Sequence, residues 1–351
     1  MRRTVAPIVV AGLASLLGGI ACGGDLPNSP GNHDTDPVSS IAPPPGGVAQ
    51  FSVMPVAIAK GLTLTALGSL NPPGHVLPTD HVYFYDWDLA TGADSAEDRA
   101  VFMPTTATVI QVILPTGTDT KVVFRATQNF FFYFDHLLPS APFTVGQTIP
   151  VGTQIGTTGV GVTLDLGAFD ESVTHSGFVN PDRYGVQTKY YVSPWKYFTP
   201  ELQAQIYTHV YRAPSAPDKD GRIDFGVAGT LAGDWFLPGM PADSSWQPYG
   251  WTRSISFAYD YYDPTQVRVS IGGTVGAPGV WGIDVSAPQP DAVTPASGVV
   301  AYRLYGIFDK HPLYGLMLVQ MTDASTVKAE IFPGSTATTA SFDAQAVTFI
   351  R

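Results

Sequence analysis

Short runs in which apolar and polar residues partly alternate recur along most of this chain. They are rich in β-branched and aromatic residues, and Gly, Pro, Asn and Asp separate them, a pattern typical of antiparallel strands joined by turns. Such runs fill residues 49–192 and residues 215–351. The sequence therefore predicts a mainly β protein with two β domains, the second of them a sandwich or a small barrel.

One segment between the two β regions has a different periodicity. In "YFTPELQAQIYTHVYR", Thr199 stands at an N-cap position and is followed by a proline. Leu202, Ile206 and Val210 then recur at the spacing of one helical face. Residues 193–214 are therefore predicted to form a connecting helix.

The N-terminal residues resemble an export signal rather than part of a folded domain. Residues 1–22 begin with two arginines, continue as an apolar run and end at Cys22, the only cysteine of the chain. A cysteine in this place resembles a bacterial lipobox, in which the thiol is lipidated and becomes the first mature residue. We therefore expect an extracytoplasmic, lipid-anchored protein of the bacterial cell envelope. The alternative is an ordinary cleaved signal with an incidental cysteine. Residues 23–48 are rich in Gly, Pro and Ser and are expected to be a flexible linker.

Composition removes several classes of function. The formal net charge is −11, so the chain lacks the basic surface that nucleic-acid binding requires. Without Cys22 no thiol is left for a disulfide, a thiolate metal site or a cysteine nucleophile. The Gly-x-Ser-x-Gly pattern of serine hydrolases is also missing from the sequence.

The stretch "PPGHVLPTDHVYFY" brings His75, Asp80 and His81 together ahead of a predicted strand. Two interpretations of His75 and Asp80 are open: residues of a tight turn, or members of a polar or metal site. His81 is either a surface residue or a partner of that site. Further along, "VTLDLGAF" places Asp165 inside an otherwise apolar strand, where a buried carboxylate requires a partner.

A longer motif gives these residues a context. The segments "FFYFDHLLPSAPFTVGQTIPVGTQIGTTG" and "VTLDLGAF" follow one another directly. In this order they resemble the lysostaphin-like murein endopeptidases, and "VGQTIPVGTQIGTTG" is the most specific part. The resemblance covers residues of about 70–170 and implies a small antiparallel β-sandwich of the duplicated-hybrid-motif type.

The resemblance also implies a metal site. In that family an early His-x-x-x-Asp and the second histidine of a closing His-x-His hold zinc, and the histidine of a His-Leu pair assists. Carried over, His75, Asp80 and Asp165 would bind zinc or another divalent metal, and His136 would be the assisting, catalytic histidine. Three departures are visible: the first spacing is one residue longer, and Thr163 and Asp165 stand in place of the two closing histidines.

Two carboxylates among three ligands would reduce the power of a metal to polarise a carbonyl or acidify water. We therefore expect a non-catalytic binding or structural role at the envelope, with peptidoglycan or carbohydrate as partner and the membrane reached through Cys22. The alternative is a metal-dependent hydrolase of cell-wall peptide. A third interpretation is ligand capture by the second β region through its aromatic residues, Trp235, Trp246, Trp251, Tyr259, Tyr261 and Tyr262.

Overall fold

The computed structural model describes residues 49–59, 62–85, 87–88, 93–94, 98–113, 120–158, 164–185, 187–240, 253–307 and 311–351. The expectations for Cys22, the leader, the linker, Thr163, Trp246 and Trp251 lie outside these residues. Within them the prediction of a mainly β protein is confirmed. No helix in the described ranges has the length and apolar character needed to cross a membrane.

The first region is built around one antiparallel sheet. In chain order its strands are β1 (Thr63–Leu64), β2 (His81–Tyr85), β3 (Trp87–Asp88), β4 (Ala93–Asp94), β5 (Ala100–Phe102), β6 (Ala107–Ile113), β7 (Thr120–Arg125), β8 (Phe130–Pro139), β9 (Thr148–Ile149), β10 (Gln154–Thr157), β11 (Leu164–Asp170) and β12 (Tyr191–Val192). Ten of them form a sheet whose main path is β1-β2-β11-β8-β7-β6-β9, while β3 and β4 pair only with one another. The remaining three are attached at the side: β12 pairs with β11, and β10 pairs with both β5 and β8.

Aromatic residues fill the core beneath this sheet. On β8, Phe132 and Phe134 are fully buried, and Phe132 stacks on Phe124 of β7 with ring centroids 5.0 Å apart. Trp195 is also fully buried and donates its indole N–H to the carbonyl of Thr65 at 2.8 Å. Large rings with few rotatable bonds stabilise a core at a low cost in entropy, so the aromatic strand of the sequence is mainly structural.

The connecting helix, predicted over residues 193–214, is shorter in the structure: α1 spans Pro200–His209, and Pro194–Tyr197 forms a separate 3-10 helix. Thr199 occupies the N-cap position but makes no side-chain capping hydrogen bond, and Pro200 is the first helical residue. Ile206 is buried, which matches the predicted apolar face. The described residues also contain five 3-10 helices: Pro181–Arg183, Thr188–Tyr190, Pro194–Tyr197, Pro290–Ala292 and Pro295–Ser297.

The second region is a closed barrel of eight antiparallel strands, which decides between the two predicted architectures. The strands are β13 (Gly233–Phe236), β14 (Ser254–Tyr259), β15 (Val267–Ile271), β16 (Gly279–Ile283), β17 (Val299–Gly306), β18 (Leu313–Asp323), β19 (Thr326–Pro333) and β20 (Val347–Ile350). Phe236 pairs with Ile350 and closes the ring between its first and last strands. Side chains fill the interior, among them Trp235, Phe257 and Tyr302, as expected for a barrel of eight strands. Because Trp235 belongs to this core, it cannot contact an external ligand.

Candidate functional site

Strand register places Asp165 of β11 between β2 and β8. Asp165 is paired with Tyr83 of β2 on one side and with Asp135 of β8 on the other. Directly paired residues point to the same face of a sheet. Leu164 and Leu166 therefore lie on the opposite face, where both are fully buried in the core. The alternation leaves Asp165 on the face that carries the polar residues.

Two residues further along β11, a glycine makes room for the site. Gly167 is paired with His81 on one side and with Tyr133 on the other. A Cβ atom at Gly167 would lie 2.1 Å from the ring of Tyr133. The tyrosine therefore lies across the glycine, and any larger residue at this position would displace the ring.

Tyr133, Asp80 and His81 share one set of hydrogen bonds. The Nδ1 atom of His81 lies 2.8 Å from Oδ1 of Asp80, and since the carboxylate can only accept, Nδ1 carries the proton. The hydroxyl of Tyr133 donates to the same Asp80 oxygen at 3.1 Å and lies 3.1 Å from His81 Nδ1. These contacts hold the imidazole in one orientation, with Nε2 directed away from Asp80.

Asp165 faces that second nitrogen. Its Oδ2 atom lies 3.3 Å from Nε2 of His81 and 3.7 Å from Nε2 of His136. The Asp165 side chain is almost fully buried, with 2% of the residue exposed. Even so, Asp165 Oδ1 and His81 Nε2 have no hydrogen-bond partner. The carboxylate therefore lies between two imidazoles without a hydrogen bond to His81.

His136 reaches the site from an irregular position in β8. Pairing of β8 with β11 ends at Asp135, and pairing of β8 with β10 begins at Leu138. Between them, His136 adopts a φ of 60°, in the left-handed region that non-glycine residues rarely occupy. The carboxylate of Asp135 accepts the backbone N–H of His136 at 3.0 Å and supports this conformation. The irregularity turns the imidazole toward Asp165, as bulges next to functional sites often do.

His75 lies at the edge of the polar cluster, which consists of Asp80, His81, Lys121, Tyr133, Asp135, His136 and Asp165. Its backbone pairs with Asn71 in a tight turn, and its ring centroid is 5.3 Å from that of His81. Burial, with a further contribution from His81, lowers the pKa of His75 to about 3. The two interpretations of His75 thus both describe part of the structure, since the residue belongs to a turn and also borders the polar cluster.

Lys121 adds a positive charge to the site. The Lys121 ammonium group lies 3.3 Å from Oδ2 of Asp135 and 3.8 Å from the centroid of the Tyr133 ring. Burial alone would raise the pKa of Asp135, but Lys121 and His136 outweigh it and the pKa is lowered. Asp135 therefore stays ionised beside the site.

The two carboxylates that contact His81 differ in their ionisation. Burial on its own would raise the pKa of Asp80, but the hydrogen bond from His81 and the charges of His81, Lys121 and His75 together outweigh burial and lower it. Burial raises the pKa of Asp165 to about 6, in spite of His81 and His136. Burial also opposes charge on His81, yet Asp165 and Asp80 together raise its pKa above the ordinary value. Of the two carboxylates that contact His81, Asp80 is therefore the one that stays ionised.

The fit of this cluster to zinc can be judged from its donor atoms. Catalytic zinc takes three protein ligands. Among the described residues, no group of three or more His, Asp or Glu side chains is arranged to hold a metal ion. Asp80 is hydrogen-bonded to His81 and Tyr133. At this site, the buried side-chain atoms that lack a hydrogen-bond partner are His81 Nε2 and Asp165 Oδ1. The ligand set implied by the sequence, His75, Asp80 and Asp165, is therefore not assembled as a zinc site.

Comparison with solved structures returns matches of low similarity. A zinc-containing peptidase from Vibrio cholerae matches with 17% identity and a TM-score of 0.28, covering 35% of this chain and 37% of that one. Csd3 from Helicobacter pylori matches with 15% identity and a TM-score of 0.26, covering 35% and 30%. Lysostaphin matches with 12% identity and a TM-score of 0.25, covering 65% and 85%.

The first two matches span about a third of the neighbours' own lengths. At TM-scores of 0.28 and below, these likenesses carry no argument about what this chain does. No protein-family model and no curated protein matches the sequence.

Sequence reasoning missed three members of the cluster, Lys121, Tyr133 and Asp135. Each follows from strand pairing, since β7 and β8 lie side by side and β8 pairs with β11. One signal was available for Asp135 and Tyr133. Two-residue alternation along "FFYFDH" places both on the same face of the strand. Once Asp165 is assigned to that face, its neighbours on β8 become candidates too.

Proposed function

We propose that this chain is a lipid-anchored protein of the bacterial cell envelope whose first domain binds a cell-wall polymer without cutting it. The observation that carries the proposal is the place of Asp165. The sequence resemblance calls for an imidazole there, and the chain instead supplies a carboxylate that lies 3.3 Å from His81 and 3.7 Å from His136.

Charge distribution supports a binding role over hydrolysis. Hydrolysis of a peptide by zinc requires a cation strong enough to polarise a carbonyl and acidify water. Asp80 and Asp165 would both donate negative charge to such a cation and weaken these effects. In addition, Asp80 is already hydrogen-bonded to His81 and Tyr133. The polar groups thus form a buried hydrogen-bonded network that fixes the side chains on this face of the sheet, a structural role rather than a hydrolytic one.

Peptidoglycan or a related carbohydrate is the proposed ligand. The support is the sequence resemblance to murein endopeptidases over residues of about 70–170, together with the lipidation signal at Cys22. Aromatic side chains accompany the polar cluster: His81 packs edge-on against Tyr83 at 4.8 Å, and Tyr83 stacks on Tyr85 at 5.2 Å. Such rings combine apolar area with hydroxyl groups, a combination that suits sugar contact.

A metal-dependent hydrolase of cell-wall peptide is the second candidate. The observation in its favour is the pair of buried atoms without hydrogen-bond partners, His81 Nε2 and Asp165 Oδ1. Unsatisfied buried polar atoms are costly and are a known sign of an absent ion or water. Against this candidate, the described residues do not bring three ligating side chains together around one point.

Co-sedimentation with purified peptidoglycan separates the two candidates. The protein is expected to sediment with the polymer, to leave its turbidity unchanged and to contain no stoichiometric zinc. Asp165→Asn tests the site, and Asp170→Asn, on the same strand but hydrogen-bonded to Ser172 and Tyr197, is the matched control. Stoichiometric zinc that is lost in Asp165→Asn, together with clearing of the polymer, would establish the hydrolase instead.

Labelling of cells with a radioactive fatty acid tests the anchor independently. The wild-type chain is expected to incorporate the label and to fractionate with membranes. The Cys22→Ala variant is expected to lose both properties. Incorporation that persists in Cys22→Ala would reject lipidation at this cysteine while leaving the binding role open.

A further inference from the structure

Lys121 and Asp135 form a close pair across two neighbouring strands. Nζ of Lys121, on β7, lies 3.3 Å from Oδ2 of Asp135, on β8. The register between these strands shifts between Thr120 and Val122, and an irregularity of this kind changes the direction of the side chain that it contains. The fold therefore holds an amine and a carboxyl group in contact on one face of the sheet.

Both groups are largely withdrawn from water. The side chains of Lys121 and Asp135 are 18% and 22% exposed, and the ammonium group lies 3.8 Å from the centroid of the Tyr133 ring. Two charges in such a place lose much of their hydration, so the ion pair gains less than its attraction alone suggests. A neutral amide at the same place has no charge to desolvate.

A third carboxyl group lies beside the pair. Asp165 of β11 is paired directly with Asp135, so their side chains are neighbours on the same face of the sheet. Asp165 is 2% exposed, and its Oδ1 atom is buried without a hydrogen-bond partner. A proton on this oxygen is therefore not held by another protein group and is available to the neighbouring carboxyl group.

We propose that Lys121 and Asp135 join in an intramolecular amide bond, an isopeptide cross-link between β7 and β8. A proton first moves from Nζ to Oδ2 along their contact, which gives a neutral amine and a neutral carboxylic acid. The lone pair of Nζ then attacks Cγ of Asp135, while protonated Asp165 donates a hydrogen bond to the carboxyl oxygen. The C–N bond forms, one C–O bond breaks, and that oxygen leaves as water with two protons of the former ammonium group.

Proximity is what drives this condensation. Well-oriented groups within one molecule react as if at about 10⁵–10⁸ M, and no oxidant, reductant or cofactor is needed. The resting pair is ionic, because Lys121 and His136 lower the pKa of Asp135 in spite of burial. The bond is therefore expected to form slowly, after folding has brought the two strands together. It requires no ligand, so the cross-link does not rest on the proposed binding function.

Tryptic mapping of the full chain in denaturant tests the bond. Trypsin does not cut after a lysine whose amine is acylated. With the bond in place, residues 100–125 and 126–183 are released as one branched peptide, lighter by one molecule of water than the two linear peptides together. Fragmentation of the branched peptide should place the bond at Lys121 and Asp135.

Without the bond, residues 100–121, 122–125 and 126–183 are released as separate linear peptides. Recovery of these linear peptides alone from the folded wild type overturns the proposal. This result does not depend on any variant folding, and it leaves co-sedimentation with peptidoglycan as a separate test of the proposed function.

Two variants and a control identify the participants. Lys121→Arg keeps a positive charge but lacks the amine, and it should yield no branched peptide. In Asp165→Asn the branched peptide should accumulate about 100-fold more slowly or less, because a positioned acid is lost. Asp170→Asn, on the same strand but hydrogen-bonded to Ser172 and Tyr197, should match the wild-type rate. A wild-type rate in Asp165→Asn overturns the role of Asp165 as the acid.

Discussion

The Nε2 atom of His81 and the Oδ2 atom of Asp165 lie 3.3 Å apart, and yet His81 Nε2 makes no hydrogen bond. The N–H at Nδ1 of His81 donates to Asp80. In a neutral His81 the other nitrogen, Nε2, therefore carries a lone pair, and this lone pair would face the Asp165 carboxylate. Two acceptors in contact repel one another. A proton on either residue removes the repulsion, which is consistent with the raised pKa of both His81 and Asp165.

The first prediction concerns the charge on His81. Asp165 raises the pKa of this histidine against the effect of burial, so replacing Asp165 by asparagine should lower it. The imidazole resonances of chelator-treated protein, followed by NMR as a function of pH, measure the change directly. Each unit by which the pKa falls corresponds to about 1.4 kcal/mol of lost interaction.

Asp170→Asn is the control for that titration, because Asp170 lies on the same strand and contacts Ser172 and Tyr197 instead. It should leave the His81 titration at its wild-type position. An unchanged His81 pKa in Asp165→Asn would mean that the two side chains do not interact in solution.

Part of this site could be predicted from sequence because it depends on local pattern. Asp165 stands out as a carboxylate in an apolar strand, and His136 belongs to a recognisable motif. The face of a strand is also a local property, since it follows from two-residue alternation. The burial of His81 is different: it depends on β11 lying beside β2 with Gly167 opposite His81. Register of that kind is set by contacts distant in sequence.

The architecture of the second region also depends on contacts that are distant in sequence. Alternation and turn residues predict its strands, because each strand is a local pattern. Closure into a barrel depends on Phe236 pairing with Ile350, two residues at opposite ends of the domain. An open sandwich would give each strand the same local pattern, so only the pairing of the first strand with the last separates the two architectures.

The second prediction tests the space that Gly167 leaves for Tyr133. In Gly167→Ala the new Cβ would lie 2.1 Å from the tyrosine ring, so the ring must move. Overpacking of this kind costs about 1–3 kcal/mol of the free energy of unfolding. Urea denaturation measures the loss.

Gly282→Ala is the matched control for a glycine in a strand, because its nearest contact, Nη1 of Arg268, would be at an ordinary 3.5 Å. Its free energy of unfolding should stay within about 0.5 kcal/mol of the wild type. Equal stability of the two variants would show that Tyr133 does not lie over Gly167.

The third prediction concerns the hydroxyl of Tyr133. Tyr133→Phe keeps the ring and its contact with Lys121 but removes the donor to Asp80. Loss of one such hydrogen bond should lower the free energy of unfolding by about 0.5–1.5 kcal/mol. A double-mutant cycle with Asp80→Asn then isolates the contact, and the two changes should be less than additive. Strict additivity would contradict a direct Tyr133–Asp80 interaction.

The fourth prediction is a dependence of stability on pH that originates at Asp234. Burial raises the pKa of this carboxyl group from 3.8 to about 6, although Ser256, Tyr184 and Arg351 act in the opposite direction. The folded state therefore binds the proton more tightly than the unfolded chain does. Protonation favours folding below the unfolded pKa, and this contribution is lost as the pH rises through the folded pKa.

Between about pH 4 and pH 7, Asp234 alone should lower the free energy of unfolding of the wild type by up to about 3 kcal/mol. Asp234→Asn keeps an acceptor for Tyr184 or Ser256 and removes the ionisation, so the variant should lose this part of the fall. Asp284→Asn is the control: hydrogen bonds from Ser286 lower the pKa of Asp284, which is the opposite direction, and the variant should retain the fall. Urea denaturation across this pH range compares the three proteins. Parallel pH profiles for the wild type and Asp234→Asn would show that the Asp234 carboxyl group titrates alike in the folded and unfolded chains.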